Sequence, residues 1–144
     1  MSSLTRIQPA ITVRLARADE GPALESLYLA SGKPPLPFVS WFSDVSPFWL
    51  VAVDEDGVGL GCINVRISKP VAQVEELCIP RTLRKRVKAQ LVLRLVYEAL
   101  RVCQSYGVQA AQFSIDPAIG GWERIVRKRG AIKRHQFPNY LVKV

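Results

Sequence analysis

The chain has 144 residues, 49% of them apolar and 22% charged. That composition belongs to one globular domain spanning 1–144 and excludes a disordered tail, a collagen-like repeat and a coiled coil. No window holds the roughly 18 consecutive apolar residues of a membrane helix, and MSSLTRIQPA lacks the apolar stretch of a secretory signal. The net charge of +8 is uneven: residues 1–80 carry 6 basic and 9 acidic side chains, and residues 81–144 carry 14 and 3, giving −3 and +11. The basic half suits nucleic acid, a nucleotide or an acidic protein, or else serves only as a solubilising face.

Ile11, Val13 and Leu15 alternate with Thr12 and Arg14, which predicts a short strand. Asp19 can cap the following helix, with Pro22 in its first turn, Leu24, Leu27 and Tyr28 as its apolar stripe and Gly32 past its end. Residues 33–48, KPPLPFVSWFSDVSPF, read as a long loop with one helical turn around Val39–Phe42. Its aromatics, Phe38, Trp41, Phe42 and Phe48, are too apolar to stay free in water, so the loop is expected to close over the sheet or meet a partner.

Trp49–Val53 and Val58–Ile67 read as a strand pair turning through Asp54, Glu55, Asp56 and Gly57. Gly59 and Gly61 point to a bulge or a close backbone approach. Val71–Ile79 is a further strand ended by Pro80. Residues 81–106 show a helical stripe of Leu83, Val87, Leu91, Leu95 and Ala99, widened by Val92, Val96 and Cys103. Gln109–Ile115 reads as a strand, Gly121–Arg129 as a shorter helix, and residues 131–144 as a hairpin turning near Pro138 and Asn139. The order is β-α-loop-β-β-β-α-β-α-β-β, an α/β fold around one mixed sheet.

That order resembles the GNAT (GCN5-related N-acetyltransferase) fold from Ile11 to Val144: a mixed sheet of about six or seven strands, with one long helix after the fourth. Its centre is LCIPRTLRKRVKAQLVLRLV. In active members a loop of the form R-x-x-G-x-G opens the long helix, and its bare N–H groups hold the acyl-CoA pyrophosphate. Here Arg86 and Lys88 stand where the glycines belong and Leu83 where the leading Arg or Gln belongs. The segment Arg84, Lys85, Arg86, Val87, Lys88, Ala89 is therefore expected to be a degenerate loop without a glycine-lined phosphate pocket. The later helix, WERIVRKRGA, keeps Gly130, but Val126 replaces the family's acidic Tyr and Ala131 its Phe. Glu75 and Glu76 are the only candidates for the family's strand-borne general base, and alternation lets at most one face a cleft.

The basic, glycine-free loop and the late RKRGA are similar to GNAT-like internal virion or tail-associated proteins of short-tailed bacteriophages. That resemblance implies a non-catalytic interaction module in a virion or the host cytoplasm, with no cofactor and a protein partner in a larger assembly. Arg81, Arg84, Lys85, Arg86, Lys88, Arg124, Arg127, Lys128 and Arg129 would face the partner. The alternative is an acetyl-CoA-dependent N-acetyltransferase with an atypical phosphate loop. Nucleic acid, with Trp122 or Tyr140 for stacking, ranks third, for want of a recognised motif. Cys62, Cys78 and Cys103 are few and far apart, which fits free thiols in a reducing compartment. His135 reads as a surface histidine, and one histidine with scattered cysteines makes no metal site.

Overall fold

The computed structural model describes residues 10–32, 47–68, 70–114, 122–128, 132–134 and 139–143. Among the described residues seven strands form one sheet in the order β1-β2-β3-β4-β5-β7-β6. They are β1 Thr12–Leu15, β2 Pro47–Val53, β3 Gly59–Ser68, β4 Val71–Cys78, β5 Ala110–Ser114, β6 Ile132–Arg134 and β7 Asn139–Lys143. The helices are α1 Gly21–Ala30, α2 Lys85–Ser105 and α3 Trp122–Lys128. All neighbouring strands run antiparallel except β4 and β5, which are parallel and joined through α2. The mixed sheet and the long helix after the fourth strand are those the sequence predicts.

Alternation along the strands makes two apolar layers. On one face Leu50, Ala52, Ile63, Val65, Ala72, Val74, Leu77, Ala111 and Phe113 meet α2 through Leu91, Val92, Leu95, Val96, Ala99 and Cys103. Trp122 of α3 closes that layer edge-to-face on Phe113, with ring centroids 6.4 Å apart. On the other face Trp49, Val51, Val53, Cys62 and Cys78 are buried with Leu24, Leu27 and Tyr28 of α1. The expected close approach is real at Gly61, where a Cβ would sit 3.1 Å from the Cys78 carbonyl oxygen and 3.4 Å from Leu95. The turn after β2 is closed by Asp54, whose carboxylate accepts from the amides of Asp56 and Val58, both at 2.9 Å.

The structure corrects the sequence reading at several boundaries. β2 begins at Pro47, so Pro47 and Phe48, read as the end of the loop, belong to the strand. Asp19 does not cap α1; it lies in a 3₁₀ turn, Ala18–Glu20, and Glu20 is the capping residue. The Glu20 carboxylate is engaged instead by Arg14, in two bonds of 2.6 and 3.0 Å, and by the Arg17 amide at 2.7 Å. The long helix begins at Lys85 rather than residue 81. The apolar period runs through Leu83, but the Arg81 amide donates to the Ala30 carbonyl at 3.2 Å, and Arg84 is extended at φ −65, ψ 149. Tethering to the end of α1 thus overrides the helical pattern in 81–84. The expectations for residues 33–46, Arg129, Gly130, Ala131 and His135 lie outside the described residues.

Candidate active site

Among the described residues the ladder of the two parallel strands runs to the Val74–Phe113 pair; β4 continues to Cys78, and β5 is described as far as Ser114. On its other side β4 carries a bulge. Cys78 pairs with Cys62 and Glu75 with Asn64, so Glu76 and Leu77 together oppose Ile63. Glu76 takes φ 56, the left-handed region, alone among the described non-glycine residues. That conformation costs roughly 1–2 kcal/mol for a residue with a Cβ. Strain held at a bulge near the carboxyl end of a parallel strand is a mark of functional geometry, and ligands collect beyond such ends.

Alternation separates the two candidate acids. Val74 points into the α2 layer, so Glu75, directly opposite Asn64, lies on the α1 face. Glu75 is half-buried and Asn64 is 3% exposed, the one buried polar residue among those described. Glu76 sits in the bulge itself. The next row on the same face carries Arg66 opposite Gln73, with Gln73 opposite Gln112 of β5. Our reading of the sequence did not pick out Asn64, Arg66, Gln73 or Gln112. The signal was present in INVRI and AQVEE, where every second residue is polar.

Beyond β4 the chain turns at Pro80 and enters α2. The first helical bond runs from the Lys88 amide to the Arg84 carbonyl at 2.9 Å, so the amides of Lys85, Arg86 and Val87 precede the ladder and face out of the helix end. Arg84, Lys85, Arg86 and Ala89 are exposed, and Val87 and Lys88 are half-buried. No acidic residue occupies this first turn. Arg81 lies apart from these cations at the end of α1, where its Nε donates to the Ser31 carbonyl at 3.3 Å. Arg124, Arg127 and Lys128 of α3 are exposed. Because Trp122 packs on Phe113 near the end of β5, α3 begins at the same end of the sheet as α2. Among the described residues no group of three or more His, Cys, Asp or Glu could hold a metal ion, and no helix is long and apolar enough to cross a membrane.

No protein-family model matches the chain, and no curated protein does. Solved structures share its fold. A GNAT-family acetyltransferase from Staphylococcus aureus Mu50 superposes with TM-score 0.70 at 11% identity, over 93% of this chain and 99% of its own. The PaiA N-acetyltransferase of Thermoplasma acidophilum, solved with coenzyme A, gives 0.66 at 13% identity, over 94% and 99%. Diaminobutyrate acetyltransferase from Paenibacillus lautus, solved with its substrate L-2,4-diaminobutyric acid and coenzyme A, gives 0.67 at 13%, over 94% and 96%. The chain therefore has the GNAT fold. These neighbours overturn the expectation of no cofactor, because structures sharing the fold over 94% of this chain hold coenzyme A. That expectation rested on the two missing glycines, which ease the close approach of backbone to phosphate, but the binding N–H groups themselves are supplied by any residue except proline. Neither the three structures described nor any other observation supports the phage-particle reading.

Proposed function

We propose that this chain is an acetyl-CoA-dependent N-acetyltransferase, the alternative reading of its sequence. The observation that carries it is the Glu76 bulge near the carboxyl end of β4, followed along the chain by the free first-turn amides of α2. The residues present fit the cofactor's phosphates. The Lys85, Arg86 and Val87 amides sit at the positive end of a 21-residue helix. The side chains of Arg84, Lys85 and Arg86 are exposed, so they add positive charge around that mouth. Bound acetyl-CoA supplies an activated acetyl thioester. The chain's own part is to position an amine and take its proton. Glu75 is the group for this, being half-buried on the sheet face next to the Glu76 bulge, with Asn64 directly across from it.

The test is a thermal titration with acetyl-CoA, run beside an assay for the thiol released when a primary amine is acetylated. Binding at 100 times the dissociation constant stabilises the fold by about 2.7 kcal/mol. No stabilisation and no thiol release with any amine would overturn the reading and leave the non-catalytic module in its place.

A further inference from the structure

We infer that the acceptor is a small zwitterion, a primary amine with a carboxylate a few atoms away, held between Glu75 and Arg66. The inference rests on the acetyltransferase reading above and names its substrate class. The register places Asn64 against Glu75 and Arg66 against Gln73. The Val65–Val74 pair between these rows points into the α2 layer, so the four polar residues share the opposite face. There α1 buries Trp49, Val51, Val53, Cys62 and Cys78 and leaves the Arg66–Gln73–Gln112 row uncovered: Arg66 and Gln73 are exposed and Gln112 is half-buried.

Two opposite charges stand on this face without neutralising each other. Arg66 and Glu75 are diagonal neighbours on adjacent strands, roughly 7–8 Å apart by the geometry of a sheet. An arginine readily spans that distance, yet neither residue is in any of the ion pairs between described residues, which join Arg14 to Glu20, Arg17 to Asp19 and Glu20, and Arg101 to Glu98. A guanidinium and a carboxylate on neighbouring rows of one sheet face, not joined in an ion pair, can serve as a dipolar clamp. The carboxylate takes an ammonium group and then its proton, and the guanidinium takes a carboxylate through two parallel bonds. Gln73 and Gln112 can hydrogen-bond such a ligand but cannot select its charge. Glu75 adjoins the bulge, so the amine is presented near the carboxyl end of β4.

The experiment measures acetyl transfer by the full chain to three acceptors: a free amino acid, the same amino acid as its carboxamide, and a simple alkylamine. We expect kcat/KM for the amino acid to exceed that for the carboxamide at least ten-fold. Arg66→Gln should raise KM for the amino acid ten-fold or more with little change in kcat, and bring the two acceptors level. Arg66→Lys should restore part of the preference, and the control Arg94→Gln, an exposed α2 residue, should leave it intact. Calorimetry with the amino acid in the presence of coenzyme A should show binding that Arg66→Gln abolishes. Equal use of amino acid and carboxamide by the wild type, or an Arg66→Gln variant that keeps the preference, overturns the inference while acetyl transfer itself stands. If acetyl-CoA does not bind and no amine is acetylated, the underlying reading fails and this inference with it.

Discussion

The guanidinium of Arg81 lies in the space a side chain at Gly32 would fill. Around it the Arg81 amide holds the Ala30 carbonyl at 3.2 Å and its Nε holds the Ser31 carbonyl at 3.3 Å. A cation thus sits on the last carbonyls of α1, where the helix dipole favours it, and fastens α1 to the segment that leads into α2. Gly32 has φ 86. We expect Gly32→Ala to cost about 1–2 kcal/mol from backbone strain. Because Arg81 is the flexible partner in the overlap, Gly32→Ala should cost nearly as much in an Arg81→Ala background. Thermal denaturation of the two single variants and the double variant measures this.

Glu20 gives the fold an acid-sensitive contact. Hydrogen bonding from Arg14 is the main reason its pKa falls from 4.5 to about 2, with the Arg17 amide adding to the effect. A carboxylate with a lowered folded-state pKa stabilises the fold above its ordinary pKa, and that contribution is lost as the pH falls from about 4.5 through about 2. Glu20→Gln should therefore cost about 1–2 kcal/mol at neutral pH, since the pair is only partly shielded from water. The difference from wild type should vanish near pH 2. Chemical denaturation across that range reads the effect directly.

The bulge predicts substitutions of opposite sign at one position. Glu76→Gly should be neutral or stabilising, because glycine enters the left-handed region freely. Glu76→Val should destabilise by about 1–2 kcal/mol, because a β-branched side chain is worst there. If the two variants have equal stability in urea, backbone conformation is not what sets the energy at this site.

Glu75→Gln should lower kcat for acetyl transfer by about 10²–10⁴-fold at neutral pH, the range for losing a general base. Part of the rate should return as the pH rises and more of the free amine arrives unprotonated. A pH profile of kcat separates this from a folding defect, which would not recover with base.

The thiols should be silent. Cys62, Cys78 and Cys103 are buried free thiols, and burial pushes the Cys103 pKa up to about 11. The thiolate is the reactive form, so alkylation of the native protein near pH 8 should label none of them, and labelling in denaturant should reach all three.

Periodicity carried much of the fold into the sequence. The α2 stripe from Val87 to Cys103, the alternation in β3 and β4 and the Asp54–Gly57 turn are local patterns, and each forms where it is written. The site was less legible because it is made of relations between strands. The Glu76 bulge exists only as two residues counted against one on β3. The clamp pairs residues whose nearness depends on register. Arg81 contacts a carbonyl 50 residues away, and so read as one more member of a basic run. Glycine loss at Arg86 and Lys88 was visible but misleading, since it changes side chains and leaves the helix-end amides in place.

The parallel crossover also orders events during folding. β2, β3 and β4 follow one another as antiparallel neighbours, and closing short loops costs little chain entropy. β5 reaches β4 only after α2 has formed or collapsed across the sheet, and the Arg81 fastening closes a still longer loop. Early pairing is therefore expected in the three-stranded meander and late pairing at β5, as non-local contacts generally form slowly. A newly made chain would present the carboxylate of Glu75 on a three-stranded meander well before β5 joins it, and on the proposed reading it could take up acetyl-CoA only once that parallel pair has formed.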